Sequence, residues 1–227
     1  MRSNSVQATR TALASVSPMV GGGWYKRLRE SLKSNAKSRD SRYFQVATVD
    51  ERGRPTNRTV VYRGFLPTPD GRVDENVLTF VTDRRSEKVR HLDRAPFAEV
   101  AWYFPVTREQ YRISGRVQVV TEQTKDAMLE KARQMAWSNM SDPGRQQFLW
   151  PTPGEVRGGD DEAQYNTTQM PTKDDPVAPA FCLCCLEVDR VSLLSLRSNE
   201  RWDFSRGERI DGMECDEEVW QTKRVNP

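Results

Sequence analysis

Residue character alternates from Phe44 to Val49 (Phe-Gln-Val-Ala-Thr-Val). Asp50-Glu51-Arg52-Gly53 follows, and a second alternating stretch runs from Thr56 to Phe65. A repeat of two places every other side chain on one face, as in a half-buried strand, and an Asp-to-Gly turn between two such runs makes them a hairpin. A lone hairpin is barely stable in water, so this pair commits the chain to further strands. The pattern predicts them at Val77–Thr82, Phe97–Phe104, Gln110–Thr121 and Phe181–Leu196, with a last hairpin from Arg201–Phe204 and Glu218–Gln221. Gly115 falls where a barrel strand would bend. Helices are expected at Trp24–Ala36, where Trp24, Leu28 and Leu32 recur every four residues, at Ser86–Leu92 with Asp83 or Ser86 as N-cap, and at Thr124–Asn139. This order lacks the alternation of a βαβ fold. It fits a mainly β protein with flanking helices, an antiparallel barrel of six or seven strands closed so that no edge is exposed.

Composition narrows the function classes. The chain has 227 residues, 36% hydrophobic and 30% charged, with six Trp, six Tyr and eight Phe, which suits one domain of residues 24–227 behind an N-terminal extension. No apolar run approaches the ~20 residues of a membrane helix. Nine Lys/Arg stand against two acids in residues 1–42, and 26 against 30 in residues 43–227. The body is therefore near neutral, and nucleic acid is not an expected partner. Residues 1–23 are rich in Ser, Thr, Ala and Arg and carry no acid, as in an organelle transit peptide or a plain disordered tail. The protein is expected to be intracellular: cytoplasmic, or plastid or mitochondrial if that segment is a transit peptide. Cys182, Cys184 and Cys185, with distant Cys215 and the single histidine His91, do not have zinc-ligand spacing and read as a buried strand in a reducing compartment. No P-loop, dinucleotide fingerprint or Ser-His-Asp set is present. Residues 141–179, with the acidic run Asp160-Asp161-Glu162, read as one long loop, a lid or an insertion.

Chemistry concentrates around one strand. Arg58-Thr59-Val60-Val61-Tyr62-Arg63 carries an Arg at each end, and downstream Thr82 closes a strand where Ser86-Glu87-Lys88 opens a helix. A helix N-terminus with a hydroxyl and a Lys favours an anion, and an Arg from a neighbouring strand adds a forked donor. The same residue types also describe a solvated surface.

The order of the pieces separates these readings. Phe44-Gln-Val-Ala-Thr-Val-Asp-x-x-Gly-x-Pro55, Arg58-Thr-Val-Val-Tyr-Arg63, Phe80-Val-Thr-Asp-Arg-Arg-Ser86-Glu-Lys88, Trp102-Tyr-Phe-Pro105, Gln110-Tyr-Arg-Ile-Ser-Gly115 and Trp220-x-x-x-Arg224-Val-Asn-Pro227 occur in sequence. Together they resemble the pyridoxamine 5'-phosphate oxidase family of FMN-binding split barrels, closest to its cyanobacterial and plant oxidase-like branch. The resemblance implies a homodimer with FMN at its interface. Arg58 and Lys88 would hold the 5'-phosphate with Thr82 and Ser86, and the backbone of Thr59, Val60 and Val61 would line the ring. Arg63 would lie near the ring and the substrate phosphate, and Gln110 would reach the flavin from the second subunit. The implied reaction moves hydride from substrate to flavin N5, with reoxidation by oxygen.

This chain also departs from the family pattern. Glu87 stands where the family has an Arg, and the Arg-x-His that binds substrate near the family's C-terminus is absent, leaving Arg197 and Arg201 as replacements. An FMN reductase with another substrate, or a non-catalytic flavin or haem binder, is the alternative. Arg133 and Trp137, then Arg145 and Trp150, read equally as a cap for flavin or anionic substrate and as core plus solvated surface. His91 is expected on the surface of its helix.

Overall fold

The computed structural model describes residues 17–20, 23–159, 165, 170–207 and 219–227. Among the described residues nine strands form one sheet: β1 (Ser17–Val20), β2 (Tyr43–Val49), β3 (Pro55–Pro67), β4 (Val73–Asp83), β5 (Phe97–Phe104), β6 (Glu109–Val120), β7 (Phe181–Ser195), β8 (Glu200–Arg206) and β9 (Val219–Val225). The sheet runs β1-β9-β8-β7-β4-β3-β2-β5-β6, and β6 also pairs with β7. The six strands β7-β4-β3-β2-β5-β6 therefore close into an antiparallel barrel, and β8, β9 and β1 continue as an outer flap. The helices are α1 (Gly23–Ser34), α2 (Glu87–Arg94), α3 (Ala127–Ser138) and α4 (Asp142–Gln146).

β7 serves both parts. Residues Phe181–Glu187 pair with β4 and Arg190–Ser195 with β8, while β6 follows the whole strand on its other side. The change of direction sits at a bulge between Ser114 and Gly115. A Cβ on Gly115 would lie 1.9 Å from the Glu187 carbonyl oxygen, so only glycine allows this approach. The bend expected at Gly115 is where the barrel strand turns.

Alternation fills the barrel. Phe44, Leu78, Phe80, Trp102, Phe104, Tyr111, Ile113, Cys184 and Leu186 point inward as one core, which Trp24 and Leu28 of α1 and Trp220 of β9 extend. Ring pairs Trp24–Phe65 at 6.1 Å and Trp24–Trp220 at 5.8 Å tie α1 to the barrel and to the flap. On the outer face of β7, Leu183 and Cys185 pack against Leu129 and Ala132 of α3, and Trp137, Phe148 and Phe181 form a third cluster.

Several boundaries differ from expectation for local reasons. α3 starts at Ala127 because Asp126 caps it, accepting from the Met128 and Leu129 N–H groups, while Thr124 closes the preceding turn. Within the stretch read as one loop, Ser141 caps the short helix α4 and a 3-10 turn follows at Gln147–Leu149. The extension drawn at 1–23 is described only at Ser17–Val20 and Gly23, and Ser17–Val20 pair with β9. Asp160-Asp161-Glu162, Cys215 and Glu218 lie outside the described residues. Cys182, Cys184 and Cys185 are buried free thiols; burial pushes Cys182 and Cys185 up to about 12, so they are packing residues and not nucleophiles. No helix among the described residues is long and apolar enough to cross a membrane.

Candidate functional site

One mouth of the barrel is polar. On β2 the inward positions run Phe44, Val46, Thr48, so the period that fills the core delivers a buried hydroxyl at its end. Thr56 and Arg58 lie opposite Thr48 and Val46 on β3, and Thr82 follows Leu78 and Phe80 inward on β4. α2 covers this mouth and contributes Ser86, Lys88 and His91.

Arg58 is held by neutral oxygens only. Its Nη1 donates to Thr48 Oγ1 at 2.8 Å, Thr56 O at 3.1 Å and Val46 O at 3.3 Å, and its Nη2 to Thr56 Oγ1 at 2.8 Å. Nε–H and the second Nη2–H, which together make the side-on fork, have no acceptor among the described residues. Lys88 Nζ donates to Thr82 Oγ1 at 2.9 Å and Ser86 Oγ at 3.0 Å, and Ser86 Oγ donates to Asp83 O at 2.6 Å. Ser86 is the N-cap of α2 by position, yet its hydroxyl makes no cap bond; the Val89 N–H donates to Ser86 O at 3.0 Å, and the Glu87 and Lys88 N–H groups are left uncapped by that hydroxyl.

Both cations are half-buried, and no carboxylate among the described residues forms an ion pair with either. Burial first, and then Arg58 itself, lower the Lys88 pKa; burial lowers that of Arg58, with Glu87 opposing. Two desolvated like charges side by side are costly unless an anion joins them. The arrangement thus fits a phosphate dianion.

The same place is where the barrel splits. β3 and β4 pair from Tyr62 and Phe80 toward their hairpin, and before that point the two strands have no pairing. Thr59–Val61 are bonded to β2 on one side, so their β4-facing backbone groups have no strand partner. Val60 points into the core, Thr59 is exposed and Val61 half-buried, so this segment presents backbone to the slot. A planar heterocycle with donors and acceptors along one edge fits such a slot, and its phosphate tail would reach Arg58 and Lys88.

The other expected site residues do not all gather there. Arg63 lies on the outer face of β3, where its side chain is accessible but partly desolvated by its neighbours; that desolvation and the Arg42 charge lower its pKa, with Tyr43 opposing. Gln110 lies on β6, which stands across the six-stranded barrel from β3. The register places Tyr103, Gln110, Leu194 and Arg201 side by side on that outer wall. Arg201 Nε donates to Ser192 Oγ at 3.1 Å, and Arg197 in the β7–β8 turn donates to Val106 O at 2.8 Å.

Arg133 does not gather with the cations of the barrel mouth. It is 4% exposed, bonded to Glu130 at 2.8 and 3.0 Å and to Phe181 O at 3.2 Å, so it ties α3 to β7. Arg145 is likewise buried, against the carbonyls of Trp137, Met140 and Pro171 and the Asp142 carboxylate, and Trp137 is core. His91 also departs from expectation: it is buried, with Nδ1 3.0 Å from Thr48 Oγ1. Sequence reasoning did not single out Thr48, Thr56 or Arg42. The signal for Thr48 was its phase with Phe44 and Val46.

Residues 22–121 match the family model "Pyridoxamine 5'-phosphate oxidase, FMN-binding domain". Pyridoxine/pyridoxamine 5'-phosphate oxidase 2 of Arabidopsis thaliana is 36% identical over 204 residues, 90% of this chain and 96% of its own length. A pyridoxamine 5'-phosphate oxidase-related, FMN-binding protein of Nostoc punctiforme superposes with a TM-score of 0.79 at 35% identity, covering 92% of this chain and 100% of that one. The oxidase of Pseudomonas syringae pv. tomato, 34% identical, aligns over 46% of this chain and 43% of its own. With an FMN-binding family model across the split strand and a full-length relative above one-third identity, the chain belongs to the pyridoxamine 5'-phosphate oxidase family of FMN-binding proteins.

Proposed function

We propose that the protein is an FMN-dependent oxidase of a small phosphorylated or anionic substrate, with pyridoxine or pyridoxamine 5'-phosphate the first to try. The carrying observation is the Arg58–Lys88 pair, two half-buried cations with no carboxylate partner among the described residues. They take the 5'-phosphate, and Thr82 and Ser86 aim Lys88 at it. The backbone of Thr59, Val60 and Val61 receives the ring. FMN, when bound, would supply the redox chemistry, as a hydride acceptor that oxygen can regenerate.

The chain's own residues bind and orient. Arg63, with Arg42 close by, offers a second cationic pair on the outer face for the substrate's anionic group. Gln110 and Arg201 share the opposite wall, too far around the barrel to meet a ligand held by Arg58 in the same molecule. A homodimer that brings the β6–β7–β8 wall of one copy against the β3 slot of the other unites them. Arg201, on the flap strand β8, and Arg197 in the turn before it then serve where the family's Arg-x-His is absent. Covering the slot this way also excludes water from the reacting face.

The test uses FMN-loaded full chain with either B6 phosphate in air, following pyridoxal 5'-phosphate and hydrogen peroxide against a boiled control. Stoichiometric formation of both is expected, and Arg63→Ala should lower kcat/KM by about 100-fold while thermal stability is retained. A yellow protein that forms neither product rules out the B6 oxidase and leaves the family and cofactor standing.

A further inference from the structure

We propose that His91 is a positioning residue for phosphate recognition: through Thr48 it locks the Arg58 guanidinium so that its side-on fork faces the cofactor phosphate. This rests on the reading of Arg58 as a phosphate ligand.

Counting hydrogens makes the case. A guanidinium only donates, so the hydroxyl oxygens of Thr48 and Thr56, each 2.8 Å from it, both accept from Arg58. Each hydroxyl must then send its own hydrogen elsewhere. Thr56 Oγ1 has the Thr48 carbonyl oxygen at 3.3 Å. Thr48 Oγ1 has His91 Nδ1 at 3.0 Å, nearer than Thr56 Oγ1 at 3.2 Å. With the ring proton on Nε2, Nδ1 accepts from Thr48, and every hydroxyl in the cluster is satisfied without pointing a hydrogen at Arg58. Nδ1 also lies 3.3 Å from Thr56 Oγ1, but its one lone pair is taken by the nearer Thr48, so the brace runs through Thr48.

The bracing matters because of where the elements come from. Thr48 and Thr56 are cross-strand partners on β2 and β3, whereas His91 arrives from α2, the helix that also carries Lys88. His91 thus couples the two cations: the helix that presents Lys88 also fixes a hydroxyl that orients Arg58. An apolar side chain at 91 would leave the Thr48 hydroxyl free to rotate, and Arg58 would lose a fixed acceptor.

The experiment compares FMN with riboflavin, which has the same ring and no phosphate, by flavin-fluorescence titration of the apo full chain. His91→Leu should weaken FMN by about tenfold and riboflavin by less than about twofold. His91→Asn, which keeps an acceptor near Nδ1, should restore FMN affinity to within about threefold of wild type. Thr48→Val, which keeps shape and removes the hydroxyl, should repeat the phosphate-selective loss, and it decides the matter if His91→Leu does not fold. Equal losses for both flavins, or no loss for FMN, overturn the role of His91. Wild-type protein that binds FMN and riboflavin equally overturns the phosphate site itself, which is a separate and recognisable result.

Discussion

Two pairs of basic residues are taken out of water in this protein, and they are built in opposite ways. Arg133 and Arg145, 4% and 2% exposed, are the more deeply buried, yet each meets a carboxylate and one or more backbone carbonyls. Arg58 and Lys88 are less buried, meet only neutral oxygens, and lie close enough that one depresses the ionisation of the other. Burial alone therefore does not mark a ligand-binding cation. The mark is donors left over after the protein's own acceptors have been counted.

If the contrast is sound, the two pairs respond differently to loss of charge. The largest effect is expected at Arg145→Met, which strands several buried carbonyls: about 3 kcal/mol of stability, or a fall of about 10 °C in Tm, with FMN affinity of the folded protein unchanged. A variant of normal stability would erase the distinction. Lys88→Met should do the reverse, weakening FMN by about 10- to 100-fold while the apo protein keeps its Tm or gains slightly, because a desolvated ammonium beside a guanidinium has gone. Unfolding of this variant would move Lys88 into the structural class.

The smallest effect is a pH dependence. Lys88 has its pKa lowered by burial and by Arg58, so as pH rises toward the ordinary lysine value of 10.5 the free protein loses this charge early. FMN binding must then restore the proton, and its affinity falls as pH rises. A loss of about threefold between pH 8 and 9.5 is expected in the wild type, and none of that component in Lys88→Met. Titration at both pH values measures it; identical slopes in the two proteins would show that Lys88 is not the group.

Much of the fold can be read in the sequence because its signals are local. The alternation in Phe44–Val49, the Asp50–Gly53 turn and Gly115 at the bend need only neighbouring residues to interpret, and all three lie where they were expected. The Ser86-Glu87-Lys88 start of α2 was also legible. The arginines were harder, since their partners are distant along the chain: Phe181 O lies 48 residues from Arg133, and Pro171 O lies 26 from Arg145. His91 was missed for a related reason. Its helix is short and polar, so periodicity could not show which side faces the barrel, whereas the phase of Thr48 on β2 was available and points inward.

The gap between β3 and β4 has a consequence for solubility. An unpaired strand edge on a protein surface invites another chain to add to it, the usual first step toward aggregation. Here the unpaired groups of Thr59–Val61 lie in a slot beside α2, with basic side chains close by and the sheet closed everywhere else around the barrel. An extended polypeptide would have to enter that slot edge-on past Arg58 and Lys88, whereas a thin flat ring with an anionic tail can slide in. The protein thus keeps a row of backbone hydrogen-bonding groups available to a small molecule while withholding them from its neighbours.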